Sequence, residues 1–210
     1  MKSTAKKFSA RLVEAWLHEP EGAPRAALAL FHGAGGNAEA PLMQAAADAF
    51  CAAGFLVLRG NLPFRQGGAK GGPHNGGRDR EGIRRAAEEL KTRVPGAALC
   101  LAGHSYGGRQ CTMLAAEDPD VCGALLLLSY PLHAPGRPEK PRTEHFPSLR
   151  TPALFVQGTR DTFGSVEELE AALKLIPARH KLIAIEGGRH GLPPAIAASL
   201  PGWLLAIMDF

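Results

Sequence analysis

Gly103-His104-Ser105-Tyr106-Gly107 sets a serine between glycines two residues before it and two after, the pattern GxSxG. The apolar run Ala98-Leu99-Cys100-Leu101-Ala102 precedes it, and a helical pattern follows. A serine on such a sharp strand-to-helix turn is held in a strained backbone conformation, with its hydroxyl projecting above the sheet. The flanking positions must be small, or their side chains would strike the neighbouring strand and helix. The helix N-terminus adds partial positive charge where an oxyanion would form. The chemistry indicated is attack of Ser105 on an acyl carbonyl. The plain alternative is a glycine-rich turn carrying an exposed serine.

A serine nucleophile needs a base, and the base needs an acid to orient it. Downstream, Gln157-Gly158-Thr159-Arg160-Asp161 puts Asp161 just past an apolar strand. Ile185-Glu186-Gly187-Gly188-Arg189-His190-Gly191 then puts His190 on a glycine-flanked loop past the last strand. Ser105, Asp161 and His190 therefore share one edge of a sheet, in the chain order nucleophile, acid, base. Glu186 is a rival acid nearer the strand body. His18, His74, His133, His145 and His180 fall at termini or in irregular loops, and His104 lies inside the turn with its side chain expected to point away from Ser105.

An earlier loop, His32-Gly33-Ala34-Gly35-Gly36, follows the apolar run Leu28 to Phe31. Glycines let backbone approach a reacting carbonyl and aim N–H groups at it. The expected oxyanion donors are the backbone N–H groups of Ala34 and Tyr106, with His32 and Gly33 beside the substrate. A phosphate-binding loop would need GxGxxG spacing or a GK[ST] ending, and neither is present. Arg59, Arg160 and Arg189 each fall just after a strand on the same edge, and Arg65 and Arg142 lie on loops from it. They raise the expectation of an anionic acyl substrate. The competing reading has them pairing with carboxylates to hold loops.

These residues need a scaffold. The chain has 210 residues, 45% of them hydrophobic and 21% charged, which suits one domain over 1–210 with a sizeable core and excludes intrinsic disorder. No apolar run approaches the length of a bilayer span. The basic start, Met1 to Lys7, lacks the apolar stretch of a secretory signal, which points to the cytoplasm. Cys51, Cys100, Cys111 and Cys122 form no CxxC pair and sit in apolar segments, as reduced packing residues would. A net charge of +4 is scattered along the chain, without the basic block that binds nucleic acid. No HExxH or clustered Cys/His spacing calls for a metal, and the chemistry needs no cofactor.

The pattern alternates strands with helices. Strands are expected at Phe8 to Leu17, Ala26 to His32, Phe55 to Arg59, Ala97 to Gly103, Gly123 to Ser129, Ala153 to Gly158 and Lys181 to Glu186. Continuous apolar runs of this kind mark parallel strands buried on both faces. Helices are expected from Pro41 to Ala53 with Asn37 as cap, from Asp79 as cap through Leu90, from Ser105 to Glu117, from Val166 to Ile176, and from Pro193 onward with a break at Pro201. The result is an α/β fold, a mostly parallel central sheet with helices on both faces. Gly60 to Gly77 reads as a mobile glycine-rich loop. Pro131 to Pro152 is too short and proline-rich for a large helical lid.

From His32 to His190 the chain resembles small α/β-hydrolases of the dienelactone-hydrolase-like group. The stretches Gly103 to Gln110, Tyr130-Pro131-Leu132 and Gln157 to Asp161 resemble a hydrolase-like subgroup within it. Dienelactone hydrolases proper carry cysteine where this chain has Ser105. The resemblance therefore implies the α/β-hydrolase fold and hydrolytic chemistry, a carboxylesterase above all, more than any named substrate. Thioesterase and amidase activity use the same constellation. The competing class is a catalytically silent hydrolase-fold module that binds or scaffolds, against which the intact Ser105, Asp161 and His190 argue.

Overall fold

The computed structural model describes residues 4–208. The first three residues of the basic N-terminal run lie outside them. In chain order the elements are β1 (Ala5–Ala10), β2 (Val13–His18), β3 (Ala26–Phe31), α1 (Pro41–Ala52), β4 (Phe55–Asn61), α2 (Gly76–Arg93), β5 (Ala98–His104), α3 (Tyr106–Glu117), β6 (Ala124–Leu128), β7 (Ala153–Gly158), α4 (Val166–Leu173), β8 (His180–Ile185) and α5 (Leu200–Leu205). The eight strands form one sheet in the order β1-β2-β4-β3-β5-β6-β7-β8. β1 and β2 are antiparallel, β2 is antiparallel to β4, and every other neighbour pair is parallel.

Alternation along each strand builds two cores. In β5, Leu99 and Leu101 belong to the core that also holds Ile83 and Leu90 of α2, Leu114 of α3 and Leu169 of α4. Cys100 and Ala102 face the layer of α1 and α5, beside Phe50, Leu200 and Leu204. With helices on both faces the central strands have no wet side, which is why β3, β4, β6 and β7 are buried along their whole length. Full burial of Ile83 and Leu90 contributes about 1.5–3 kcal/mol each to holding α2 on the sheet. All four cysteines are buried, and none is in a disulfide. No helix among the described residues is long and apolar enough to cross a membrane.

Several expected boundaries move. The expected strand Phe8 to Leu17 is a hairpin, turned at Leu12 with φ 60°. Asn37 does not cap α1. Ala40 holds that position, and the Asn37 carboxamide oxygen accepts the Glu39 N–H in a local turn instead. Asp79 does not cap α2 either. Asn75 does, accepting from the Arg78 N–H, and Asp79 lies buried in the first turn. α4 ends three residues before the expected Ile176, at Leu173. Pro201 sits in the first turn of α5, where its missing N–H has no intrahelical acceptor to lose, so it starts that helix rather than breaking it. The segment expected to be a mobile loop carries a 3-10 stretch, Pro63–Gly68, and then the start of α2. Side chains tie it down: Glu14 accepts the Gly67 N–H, and the Gln66 amide donates to the Leu12 and Asn61 carbonyls. Between β6 and β7 there is one short 3-10 turn, Phe146–Ser148, and no large helical lid.

Candidate active site

The sheet order brings the ends of β3 and β5 together, with Phe31 paired to Gly103. The loop after β3 and the turn after β5 thus emerge side by side at the carboxyl edge, where open α/β sheets hold their sites. Ser105 makes the turn between β5 and α3 with φ 50° and ψ −116°, a backbone conformation that L-residues avoid. Close packing enforces it. A Cβ on Gly103 would lie 2.3 Å from the Gly108 nitrogen, and one on Gly107 would lie 2.5 Å from the His32 carbonyl oxygen. Only glycine fits at either position.

Ser105 Oγ and His190 Nε2 are 2.7 Å apart. On the far side of the ring, His190 Nδ1 is 2.9 Å from Asp161 Oδ2 and 3.0 Å from Oδ1. A carboxylate only accepts, so Nδ1 carries the hydrogen and Nε2 is left to take the serine proton. Asp161 is buried and fully used. Oδ1 also accepts the Phe163 N–H at 2.9 Å, and Oδ2 accepts the Gln157 side-chain amide at 3.1 Å. The His190 ring lies against Phe163, 4.0 Å between centroids and 24° between planes. A hydroxyl, an imidazole and a buried carboxylate in this relation can activate an oxygen nucleophile.

The glycine loop is fixed by His32. Its Nε2 accepts the Leu62 N–H at 3.1 Å, so its hydrogen sits on Nδ1, which donates to the Gly33 carbonyl at 2.7 Å. The Gly36 N–H binds the same carbonyl at 3.1 Å. Two donors on one carbonyl hold the Gly33–Ala34 peptide unit, whose N–H lies on the opposite side. Burial above all pushes the His32 pKa down to about 4, keeping the ring neutral, as acceptance from the Leu62 N–H requires. Among the described residues, neither the Ala34 nor the Tyr106 N–H is taken by a protein acceptor.

Ser105 opens into a cleft of about 880 Å³ that His32, Gly33, Ala34, Tyr106 and His190 also line. Four of the five arginines singled out by sequence, Arg59, Arg65, Arg160 and Arg189, do not line it. Arg59 lies within β4, not after it, and is buried. Its guanidinium donates to the Ala38 carbonyl and to His18 Nε2 and lies over the Trp16 ring. Arg160 and Arg189 are exposed on the turns after β7 and β8 and are not cleft residues. Arg65 braces the glycine loop through the Ala34 carbonyl at 3.0 Å. Glu186 is exposed, while Asp161 holds the histidine.

Sequence reasoning missed four contributors. His104 lines the cleft, and its Nε2 donates to the His190 carbonyl at 2.8 Å, bracing that loop. Gln157 was legible as a lone amide in an apolar strand. Asp79 accepts the Tyr106 hydroxyl at 2.7 Å. Arg109, one helical turn beyond Ser105, lines the cleft together with Arg142. Among the described residues no group of three or more His, Cys, Asp or Glu could hold a metal ion.

Solved structures share this fold over 92–100% of the chain. A dienelactone hydrolase from Anabaena variabilis superposes with a TM-score of 0.77 at 19% identity, covering 100% of both chains. A serine hydrolase without a lid from Xanthomonas campestris gives 0.74 at 18% identity, over 100% of this chain and 96% of that one. Est1E from Butyrivibrio proteoclasticus, with ferulic acid bound, gives 0.76 at 19% identity, over 92% of this chain and 96% of that one. Identities this low speak for the fold alone. Residues 24–200 match the family model described as an alpha/beta hydrolase domain, and the chain belongs to that family.

Proposed function

We propose that the protein is a serine hydrolase, a carboxylesterase acting on small or exposed acyl esters. The observation that carries this reading is the unbroken chain from Ser105 Oγ to His190 Nε2 at 2.7 Å and from His190 Nδ1 to Asp161 Oδ2 at 2.9 Å. His190 takes the proton of Ser105 as its oxygen attacks the acyl carbonyl. Asp161 fixes the tautomer and stabilises the imidazolium that forms. The Ala34 and Tyr106 N–H groups receive the developing oxyanion, one from the glycine loop and one from the start of α3. His190 then returns the proton to the leaving alcohol, and water removes the acyl group by the same steps in reverse order. Each oxyanion donor is worth about 2.7–4 kcal/mol of barrier. The ferulic acid held by Est1E supports a small acyl compound as ligand. The cleft without a large lid supports short or solvent-exposed esters over bulky interfacial ones.

Fluorophosphonate labelling tests the reading. Folded protein should be labelled at Ser105, with no labelling of Ser105→Ala or of heat-denatured protein. Failure of well-folded native protein to label would remove the activated nucleophile and favour a silent binding module.

A further inference from the structure

Most of the arginines on α2 already have carboxylate partners. Arg80 pairs with Glu117, Arg84 with Asp118, Arg85 with Glu81 and Glu88, and Arg93 with Glu89. Arg109 and Arg142 differ. Both line the cleft that holds Ser105. Among the described residues neither forms an ion pair, and the Arg109 guanidinium makes no hydrogen bond. Its Nε is shut away from solvent with no acceptor. Arg142 spends one donor on the Pro131 carbonyl at 3.3 Å. Glu144, exposed nearby, acts on Arg142 only at a distance.

The two cations are brought together by firm supports. The Arg109 N–H bonds the Ser105 carbonyl at 3.0 Å, so Arg109 stands one helical turn from the nucleophile on the same face of α3. Arg142 arrives from the β6–β7 connection. Its own N–H donates to the Leu132 carbonyl at 2.7 Å, and its carbonyl accepts the hydroxyl of fully buried Tyr130 at 2.9 Å. Burial, and then the charge of Arg109, lower the Arg142 pKa. Two like charges held together in a half-buried position cost stability unless an anion joins them. The wall formed by the start of α1 and the segment after His190 is apolar, with Leu42, Met43, Leu192 and Pro194.

We propose that Arg109 and Arg142 form an anion subsite, and that the substrates are esters bearing a carboxylate a few bonds from the scissile carbonyl. The subsite deepens the esterase reading and rests on it for the word substrate. A planar carboxylate suits guanidinium forks, which can grip it with paired hydrogen bonds. The apolar wall takes the rest of the molecule. Anionic preference therefore arises in this fold from α3 and the β6–β7 connection, and not from Arg59, Arg160 or Arg189.

The experiment has a catalytic and a binding arm. In the first, kcat/KM is compared for p-nitrophenyl hemiglutarate and p-nitrophenyl valerate, at low and high salt. The native protein should favour the hemiglutarate at least tenfold at low salt, with the preference shrinking as salt rises. Arg109→Gln and Arg142→Gln should each cut it several-fold, and the double variant should bring it to one or below. Arg142→Lys should restore part of it. In the second, calorimetry compares 4-phenylbutyrate with 4-phenylbutanamide, which needs no turnover. The carboxylate should bind at least tenfold more tightly, and the double variant should lose that difference while keeping a cooperative thermal unfolding transition. Native protein that labels with fluorophosphonate but shows neither preference overturns the subsite and leaves the esterase reading standing. A carboxylate preference in binding without labelling would sink the esterase reading and keep the subsite. Tighter binding of 3-phenylpropyl phosphate than of the carboxylate at equal charge would overturn the carboxylate assignment. Because the preference of the native protein is itself the primary reading, misfolding of a variant cannot shelter the proposal.

Discussion

Asp79 Oδ2 accepts the Tyr106 hydroxyl at 2.7 Å while Oδ1 accepts the Phe64 N–H at 3.2 Å, so one buried carboxylate ties α2 to the residue after Ser105 and to the turn after β4. Phe64 in turn sits edge-on between His32 and Tyr106, with ring centroids 5.6 Å and 5.8 Å away. Burial first, and Asp79 second, raise the Tyr106 pKa, so the hydroxyl stays protonated as a donor. Both proposed oxyanion donors are thereby referred to one packed unit.

Tyr106→Phe should leave Asp79 Oδ2 buried without its partner. The expected cost is about 1–3 kcal/mol of stability. The Tyr106 N–H remains, so kcat should fall only several-fold with little change in KM. Urea unfolding read beside ester kinetics checks both numbers. A variant as stable as the native protein would show that the Asp79 contact contributes nothing net.

Loss of Ser105 or of His190 should lower kcat by about 10⁶-fold, and loss of both together by little more, because they act as one unit. Asp161→Asn should be worse than a simple loss of charge. The new amide must face the Gln157 amide or the Phe163 N–H, both donors, since each now points at Asp161. A drop of about 10⁴-fold in kcat is expected. Single and double variants measured on one neutral ester decide the matter, and additive losses would contradict a shared mechanism.

Gly33→Ala probes the glycine loop without backbone strain. Its Cβ would lie 2.9 Å from His104 Nδ1 and 3.3 Å from the Ser105 Cβ, so the loop must retreat from Ser105. A fall in kcat of about 10²-fold is expected, near the loss of one oxyanion donor. KM should move little. A KM rise with kcat intact would place Gly33 in ground-state binding instead.

What the sequence made legible was whatever a strand or a turn states locally. Apolar runs such as Ala26 to Phe31 marked strands buried on both faces, and the glycines around Ser105 marked the elbow, because backbone clearance there admits no side chain. Contacts between distant segments were not legible. Asp79 reads as a helix cap by type, yet its place is set by Tyr106 and Phe64, neither of them a local partner. Arg59 reads as a strand-end residue because nothing local shows that β4 runs on to Asn61 with β2 paired alongside it. Arg109 hides in an ordinary helical pattern, and its orphaned guanidinium appears only when the cleft is assembled.

Acid should unfold this protein from a window set by its buried histidines. Burial is the largest cause lowering the pKa of His18, His32 and His145, each to about 4. In the unfolded chain they titrate near 6.5. Between these values the unfolded state binds more protons than the native state, so stability rises with pH across the window and is lost as pH falls through it. The geometry agrees for His32 and His18, whose Nε2 atoms accept from the Leu62 N–H and from Arg59 Nε and cannot do so once protonated. The melting temperature should therefore drop steeply from pH 6.5 to pH 4.5. His32→Gln should lower stability at pH 7, because the Leu62 and Gly33 contacts are disturbed, but should flatten the slope by about one proton. Thermal unfolding at half-unit pH steps gives the slope directly, and an unchanged slope in His32→Gln would mean that this ring titrates alike in both states.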